Sequence, residues 1–495
     1  MHICVIGTGT AGLMAAGVFA TREYVKKVTL IGSARIPTIG VGESTTLNFE
    51  DTNRIFVSDY SGMIREIDAA LKYGVYYENW NVGKGWINYF KSHWQTETNG
   101  ISMWDYNLLL GNLPKEVHVH DICAKKLFEY AETHRVVKDR EKYQDTDYPT
   151  SWHFDAGKYI TYITNLHKKN PKINFIIDTV VDCQFKIDNN IEIISKLILE
   201  SGEELIADFY INSTGASTIN EKVFKEKYIS LSDRLITNRA LFYPLKYTNK
   251  RKQFHPYTVA KTMNCGWRWI TPTYSRIGTG YVYSTDYITD EEAIKEFVND
   301  IGDPSIVPNI VDFIPRYSNY TLKPNSITIG MANGFQEPLD APGLSVTSMN
   351  ILHLVDFFDY APTRKHILND IHNPNHIWNR IIKLHNRKIS TFYEFWSTFI
   401  FAQYKNCHRR DTQFWNDYTS MESEHYDEVY KHLHSKEFWD YYGLPPYIFQ
   451  QTLSGRNVPW KTYMDEEPFL LRERDAETLH HLDFIDGVRT GLIRV

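Results

Sequence analysis

The sequence predicts an α/β fold: a Rossmann-like dinucleotide-binding domain assembled from discontinuous segments, with an additional β-sheet and a mainly helical C-terminal subdomain. Three observations carry this expectation. The chain opens MHICVIGTGTAGLMAAGVFA and soon reaches VKKVTLIG, which reads as strand, glycine-rich turn, helix, strand. Two later segments again deliver a strand to a glycine: ADFYINSTG, ending at Gly215, and ITIGMANGF, running from Ile327. At 495 residues the chain also exceeds the usual size of a single hydrophobic core.

In the opening unit, Gly7 makes the turn, Gly9 lets a pyrophosphate approach the backbone, and Gly12 lets helix and strand pack. The helix N-terminus then faces the phosphates. The competing reading is a tight turn that holds no ligand. An acidic residue usually ends the second strand of such a unit and holds the adenosine ribose; here Gly32-Ser33 stands in that place. Residues 171–217 read as alternating strands, and residues 240–285 as a second strand set. Residues 366–495 read as mainly helical and rich in His, Trp and Tyr. The expected division is therefore 1–365 for a discontinuous cofactor domain with inserted substrate-side elements, and 366–495 for a helical substrate-side subdomain. No repeat or low-complexity tract separates them.

Composition narrows the function. Net charge is -6, from 54 basic and 60 acidic residues, so no basic stripe invites nucleic acid. The five cysteines, Cys4, Cys123, Cys183, Cys265 and Cys407, form no CxxC pair and fit a reducing cytoplasm. The N-terminus reads straight into a strand, with no signal peptide expected. The greasiest run, Thr391–Tyr404, is interrupted by Glu394 and is too short to span a bilayer. Aromatic residues make up 14%, which suits a core and also suits planar ligands.

Three local patterns bear on chemistry. In GWRWITP, Trp267 and Trp269 alternate along a strand and so share one face, forming a stiff aromatic wall. An isolated WxW pair is also an ordinary way to fill a core. Ile64, Ile67 and Leu71 show helical spacing, and Gly74 is placed to end that helix, which sets Lys72 at a helix-to-strand corner. A lysine there commonly serves as a solvated charge on the helix dipole. His118 and His120 share a strand face, but no third ligand is spaced to join them, so no metal site is expected.

The segments together resemble the flavin-dependent halogenases of the tryptophan-halogenase family, from residue 1 to about residue 420. GTGTAG, IPTIGVGEST (36–45), SWHFDAG, INSTG, GYVYS, GFQEPL and HRRDTQFW fall in the family's order. WRWITP matches the family's WxWxIP, with Thr271 in place of the isoleucine. The resemblance implies an FAD-binding, hydroxylase-type fold and a reaction using FADH2, O2 and a halide ion. A separate reductase would supply the FADH2, since no second GxGxxG unit for a nicotinamide is evident. Flavin-lining residues would be Gly7, Gly9, Thr10, Ala11, Gly12, Gly40, Val41, Gly42, Glu43, Ser44, Gly330 and Leu339. Trp267, Trp269 and Pro272 would form the partition that keeps the organic ring away from the flavin, so that halide is oxidised instead.

Carried over on the same basis, Lys72 is the residue that delivers hypohalous acid, either by hydrogen bonding or as a haloamine. Asp340 takes the place of the family's catalytic glutamate. It is one methylene shorter, which retracts its carboxylate by roughly 1.5 Å. The halide would lie on the two backbone amides of Pro342 and Gly343, and proline has no N–H. Bromide or iodide is therefore expected over chloride. The expected substrate is a small electron-rich ring, indole- or phenol-like; NYFKSHW (88–94) does not match a tryptophan-specific pattern. No nucleic-acid or membrane partner is expected, and homo-oligomerisation stays open. The alternatives are a flavin monooxygenase that hydroxylates an aromatic ring, and a degenerate flavoprotein without catalysis.

Overall fold

The computed structural model describes residues 1–33, 43–46, 48–72, 74–81, 84–89, 151–188, 191–255, 257–359 and 377–431. Its first layer is the expected βαβ unit: β1 (His2–Ile6), α1 (Thr10–Ala20) and β2 (Lys27–Gly32). α1 is apolar nearly all round, and every residue from Gly12 to Ala20 is buried, as such a helix must be. It fills the space over a six-stranded sheet. The strand order is Leu322–Lys323, Ser326–Thr328, Phe209–Asn212, β1, β2, Ile173–Ile177. All neighbours in it pair in parallel except the outer hairpin. Strands separated by more than 100 residues in sequence thus lie side by side, and the discontinuity follows from parallel pairing, which needs crossover connections.

The second strand set forms a seven-stranded sheet. Its order is Asn309–Asp312, Arg239–Lys246, Arg276–Tyr283, Gly266–Pro272, Thr258–Met263, Gly74–Asn81, Lys84–Tyr89. The helix Ile377–Lys405 spans 29 residues and absorbs the whole Thr391–Tyr404 run. Its Phe392, Phe395, Phe399, Ile400 and Tyr404 join Trp267, Trp269 and Leu339 in one apolar cluster. Glu394 does not merely interrupt this helix: its carboxylate receives Arg234 and the Tyr317 hydroxyl, the latter at 2.7 Å. Among the described residues no helix is long and apolar enough to cross a membrane, and no cluster of His, Cys, Asp and Glu could hold a metal ion. Four of the five cysteines are described; all four are buried, and none of them is in a disulfide.

One expected element is corrected. The helix before Lys72 spans Tyr60–Glu66 and does not continue to Gly74. Asp68 turns the chain with φ of 61°. Its carboxylate accepts the hydroxyls of Thr273 at 2.8 Å and Ser275 at 2.6 Å. That tertiary grip outweighs the helical spacing of Leu71, and residues Ala70–Lys72 form a strand paired with Ser151–Phe154.

Candidate active site

The three strand-to-glycine junctions converge at the N-terminus of α1. Gly7 has φ of 112°, and a Cβ there would lie 2.3 Å from the Ser213 carbonyl oxygen, so only glycine fits. The Ser213 hydroxyl donates to the Ile6 carbonyl at 2.7 Å and ties INSTG to the opening turn. Gly330, with φ of 64°, lies over the first turn of α1, where its Cβ would stand 2.8 Å from that of Ala11. A Cβ on Gly9 would meet nothing within 4 Å, and no side chain caps the helix there. Open space in front of uncapped N–H groups suits an anionic diphosphate. Thr10 and Ala11 form the first turn facing it. Gly40, Val41 and Gly42 lie outside the described residues. Glu43 and Ser44 form a short strand against Phe154 and His153.

Lys72 sits opposite Ser151 on its strand and is fully buried. Its Nζ donates to the Thr45 carbonyl at 3.0 Å. The Thr45 backbone is fixed in turn, because its hydroxyl donates to the Trp152 carbonyl at 2.8 Å. Burial pulls the Lys72 pKa down from 10.5 to about 7, while the Asp340 carboxylate opposes the shift. His153 is also fully buried and held neutral, first by burial and then by the charge of Lys72. Its Nδ1 donates to the Pro272 carbonyl at 3.0 Å and its Nε2 accepts the Thr258 hydroxyl at 2.8 Å. The lysine strand is thereby keyed to the end of the tryptophan strand.

Asp340 follows Leu339, which is buried in the cluster beneath Trp267. Asp340 and Ala341 have φ of 61° and 56°, consecutive left-handed positions without glycine. Such positions cost on the order of 1 kcal/mol each and collect where function over-determines the backbone. The carboxylate accepts the Tyr77 hydroxyl. Pro342 then opens the helix Pro342–Asp359, the position where proline is favoured because its absent N–H has no helical role. A Cβ on Gly343 would meet nothing within 4 Å, so its backbone borders open space at a helix N-terminus.

Trp267 and Trp269 stand side by side, with ring centroids 6.3 Å apart. Gly280 makes room, since a Cβ there would lie 2.1 Å from the Trp269 ring. The wall is core as well: Trp267 is 1% exposed and Trp269 7%. Sequence reasoning passed over Glu337, which is 1% exposed. It accepts Trp267 Nε1 at 3.2 Å, the Tyr404 hydroxyl at 3.0 Å and the Thr237 hydroxyl at 2.5 Å. Burial nonetheless pushes its carboxyl up to about 7. The signal was local only in part: a glutamate stood in the EPL triplet, but its partners Trp267 and Tyr404 lie 70 and 67 residues away. Tyr77 and His153 were missed for the same reason.

The family model for tryptophan halogenases matches residues 2–441. The chain belongs to this family. Among related proteins, tryptophan 7-halogenase RebH of Lentzea aerocolonigenes is 26% identical over 436 residues, covering 83% of this chain and 78% of its own. Tryptophan 6-halogenase ThaL of Streptomyces albogriseolus is 27% identical over 440 residues, with 83% and 78% covered. Two solved structures share the fold. Tar14, a tryptophan C-6 flavin-dependent halogenase from taromycin biosynthesis, gives a TM-score of 0.79 at 24% identity, covering 98% of this chain and 95% of its own. A tryptophan halogenase from Shewanella frigidimarina gives 0.79 at 22%, covering 98% and 94%.

Family membership makes this halogenase a flavin-dependent oxidoreductase, a divergent one not clearly specific for tryptophan. The family implies FAD in its reduced form, O2 and a halide, with a separate flavin reductase and a small aromatic substrate. The cradle fits that cofactor: the clashes awaiting any side chain at Gly7 or Gly12, against clear space at Gly9, are those of a backbone shaped for close diphosphate approach.

Proposed function

We propose that this halogenase transfers an oxidised halogen to an electron-rich ring, indole- or phenol-like, through Lys72 and Asp340, and that it prefers bromide or iodide to chloride. Reduced flavin and O2 supply the oxidising equivalent that converts halide to hypohalous acid. The observation that carries the reading is the fully buried Lys72, whose amine is half-neutral near pH 7 beside Asp340. A neutral amine has a lone pair to accept the hypohalous O–H, or to take the halogen with release of water. When the ring attacks the halogen, its carbon loses a proton, and the Asp340 carboxylate accepts it. Trp267 and Trp269 keep the ring from the oxidant's source. Hydroxylation would need neither the lysine nor the partition.

The halide preference rests on Pro342. With no N–H there, one of the two backbone donors expected for the halide is missing and the Gly343 amide remains, and one lost bond to an anion costs about 1.5–3 kcal/mol. Chloride, the most strongly hydrated of the three, depends most on such donors. In competition at equal concentrations on one activated arene, brominated or iodinated product should exceed chlorinated product by about tenfold or more. Predominant chlorination would remove the role given to Pro342, and a hydroxylated arene would favour a monooxygenase. Asp340→Asn keeps size but removes the base; turnover should fall about a hundredfold with little change in KM for the arene. An unchanged turnover would leave Asp340 as a turn residue.

A further inference from the structure

The end of β2 is where a carboxylate ordinarily grips the adenosine ribose of a bound dinucleotide, and this chain has Gly32 there. The structure gives a reason why no side chain stands at that position. A Cβ on Gly32 would lie 2.5 Å from Thr8 Cγ2 and 2.6 Å from Thr8 Oγ1. Thr8 is the residue between the first two glycines of GTGTAG, and its side chain lies over the backbone of Gly32. The two positions are complementary: one has gained a hydroxyl in the space that the other would need for a carboxylate. Nearby polar groups do not restore the acid. Ser33 Oγ bonds Thr179 Oγ1 at 3.0 Å. Asp178, at the end of the neighbouring strand, donates its N–H to the Gly32 carbonyl at 3.0 Å, and its carboxylate accepts the N–H of Thr179 at 2.6 Å and, from the turn beyond the next two strands, the N–H of Ser201 at 3.3 Å.

We infer that Thr8 has replaced the strand-end carboxylate as the adenosine-ribose contact of this halogenase, so that the adenosine half of FAD is held by its diphosphate and one neutral hydroxyl. This rests on the flavin reading above. A hydroxyl forms a single neutral hydrogen bond to a ribose hydroxyl, where a carboxylate forms two charge-assisted ones. The geometry also predicts that the exchange cannot be reversed at one position. A glutamate at position 32 needs the space of the Thr8 side chain, so the acid is useful only when Thr8 is cut back.

Binding of FAD and of FMN, which lacks the adenosine half, tests this by titration of the purified protein with each oxidised flavin. Thr8→Val is isosteric and removes only the hydroxyl. It should weaken FAD roughly three- to tenfold and leave FMN unchanged. Thr8→Gly with Gly32→Glu should tighten FAD roughly tenfold or more, again without effect on FMN, whereas Gly32→Glu alone should weaken FAD. Equal effects of Thr8→Val on both flavins, or none on either, would overturn the inference. So would a gain in FAD affinity from Gly32→Glu alone. If the wild-type protein binds neither flavin, the cofactor reading itself falls and the inference with it; if it binds FAD and Thr8→Val does not weaken it, only the inference falls.

Discussion

Lys72→Ala should abolish halogenation of the arene while flavin oxidation continues, a loss of about 10³-fold or more in product formed. Lys72→Met should do the same while keeping the volume of the buried site, which separates chemistry from packing. Near-normal halogenation by either variant would sink the delivery role. Two pH effects accompany this prediction. Product formation should rise with pH through about 7, because the proposed delivery uses the neutral amine and the Lys72 pKa is lowered to about 7. Stability should follow the same group with a defined sign. The folded pKa is depressed from 10.5 to about 7, so between those values the unfolded chain holds the proton more often than the folded one. Stability contributed by Lys72 therefore rises from pH 7 towards 10.5, and its full penalty stands below 7. Replacing it with Met should raise the melting temperature most at pH 6 and progressively less above pH 7. A gain independent of pH would contradict the assignment of that titration to Lys72.

Trp267→Phe should uncouple flavin oxidation from halogenation by about tenfold to a hundredfold, with flavin binding largely kept. The phenyl ring preserves most of the apolar contact but removes the N–H that meets Glu337, and Glu337 also anchors Tyr404 of the long helix. Trp267→Ala is the harsher change. The ring is fully buried, and deleting it costs about 3–5 kcal/mol of stability. Trp269→Ala is expected to uncouple in the same way, with a loss of packing over Gly280. The measurement is the ratio of flavin oxidised to arene halogenated, beside a thermal melt. A melt shifted with the ratio unchanged would mean that the tryptophans only fill the core.

The opening βαβ unit was legible because glycine spacing, strand run and apolar helix agree locally, and Gly7, Gly9 and Gly12 stand at the turn and first helical turn that the spacing predicts. The side-by-side tryptophans were legible from alternation alone. The end of the helix before Lys72 was not: Asp68 is held by Thr273 and Ser275, some two hundred residues later, and no local pattern announces such a grip. Lys72 likewise read as a surface charge from its neighbours, and its burial depends on the strand of Ser151 beside it and on the Thr45 backbone. The motifs GVG at 40–42 and HVH at 118–120 lie outside the described residues. Glu337 stood in plain sight within EPL, but its partners come from other strands and helices, so its burial could not be read from spacing.

In the proposed mechanism hypohalous acid reaches the ring inside the protein, by way of Lys72, and not through solvent. Adding a soluble hypohalous-acid scavenger such as free methionine to the wild-type reaction with FADH2, O2, bromide and an activated arene tests it directly. With delivery inside the protein, brominated arene forms undiminished and the scavenger is not oxidised in step with turnover. Loss of brominated arene in proportion to scavenger, with matching scavenger oxidation, would show that the oxidant escapes and that Lys72 delivers nothing.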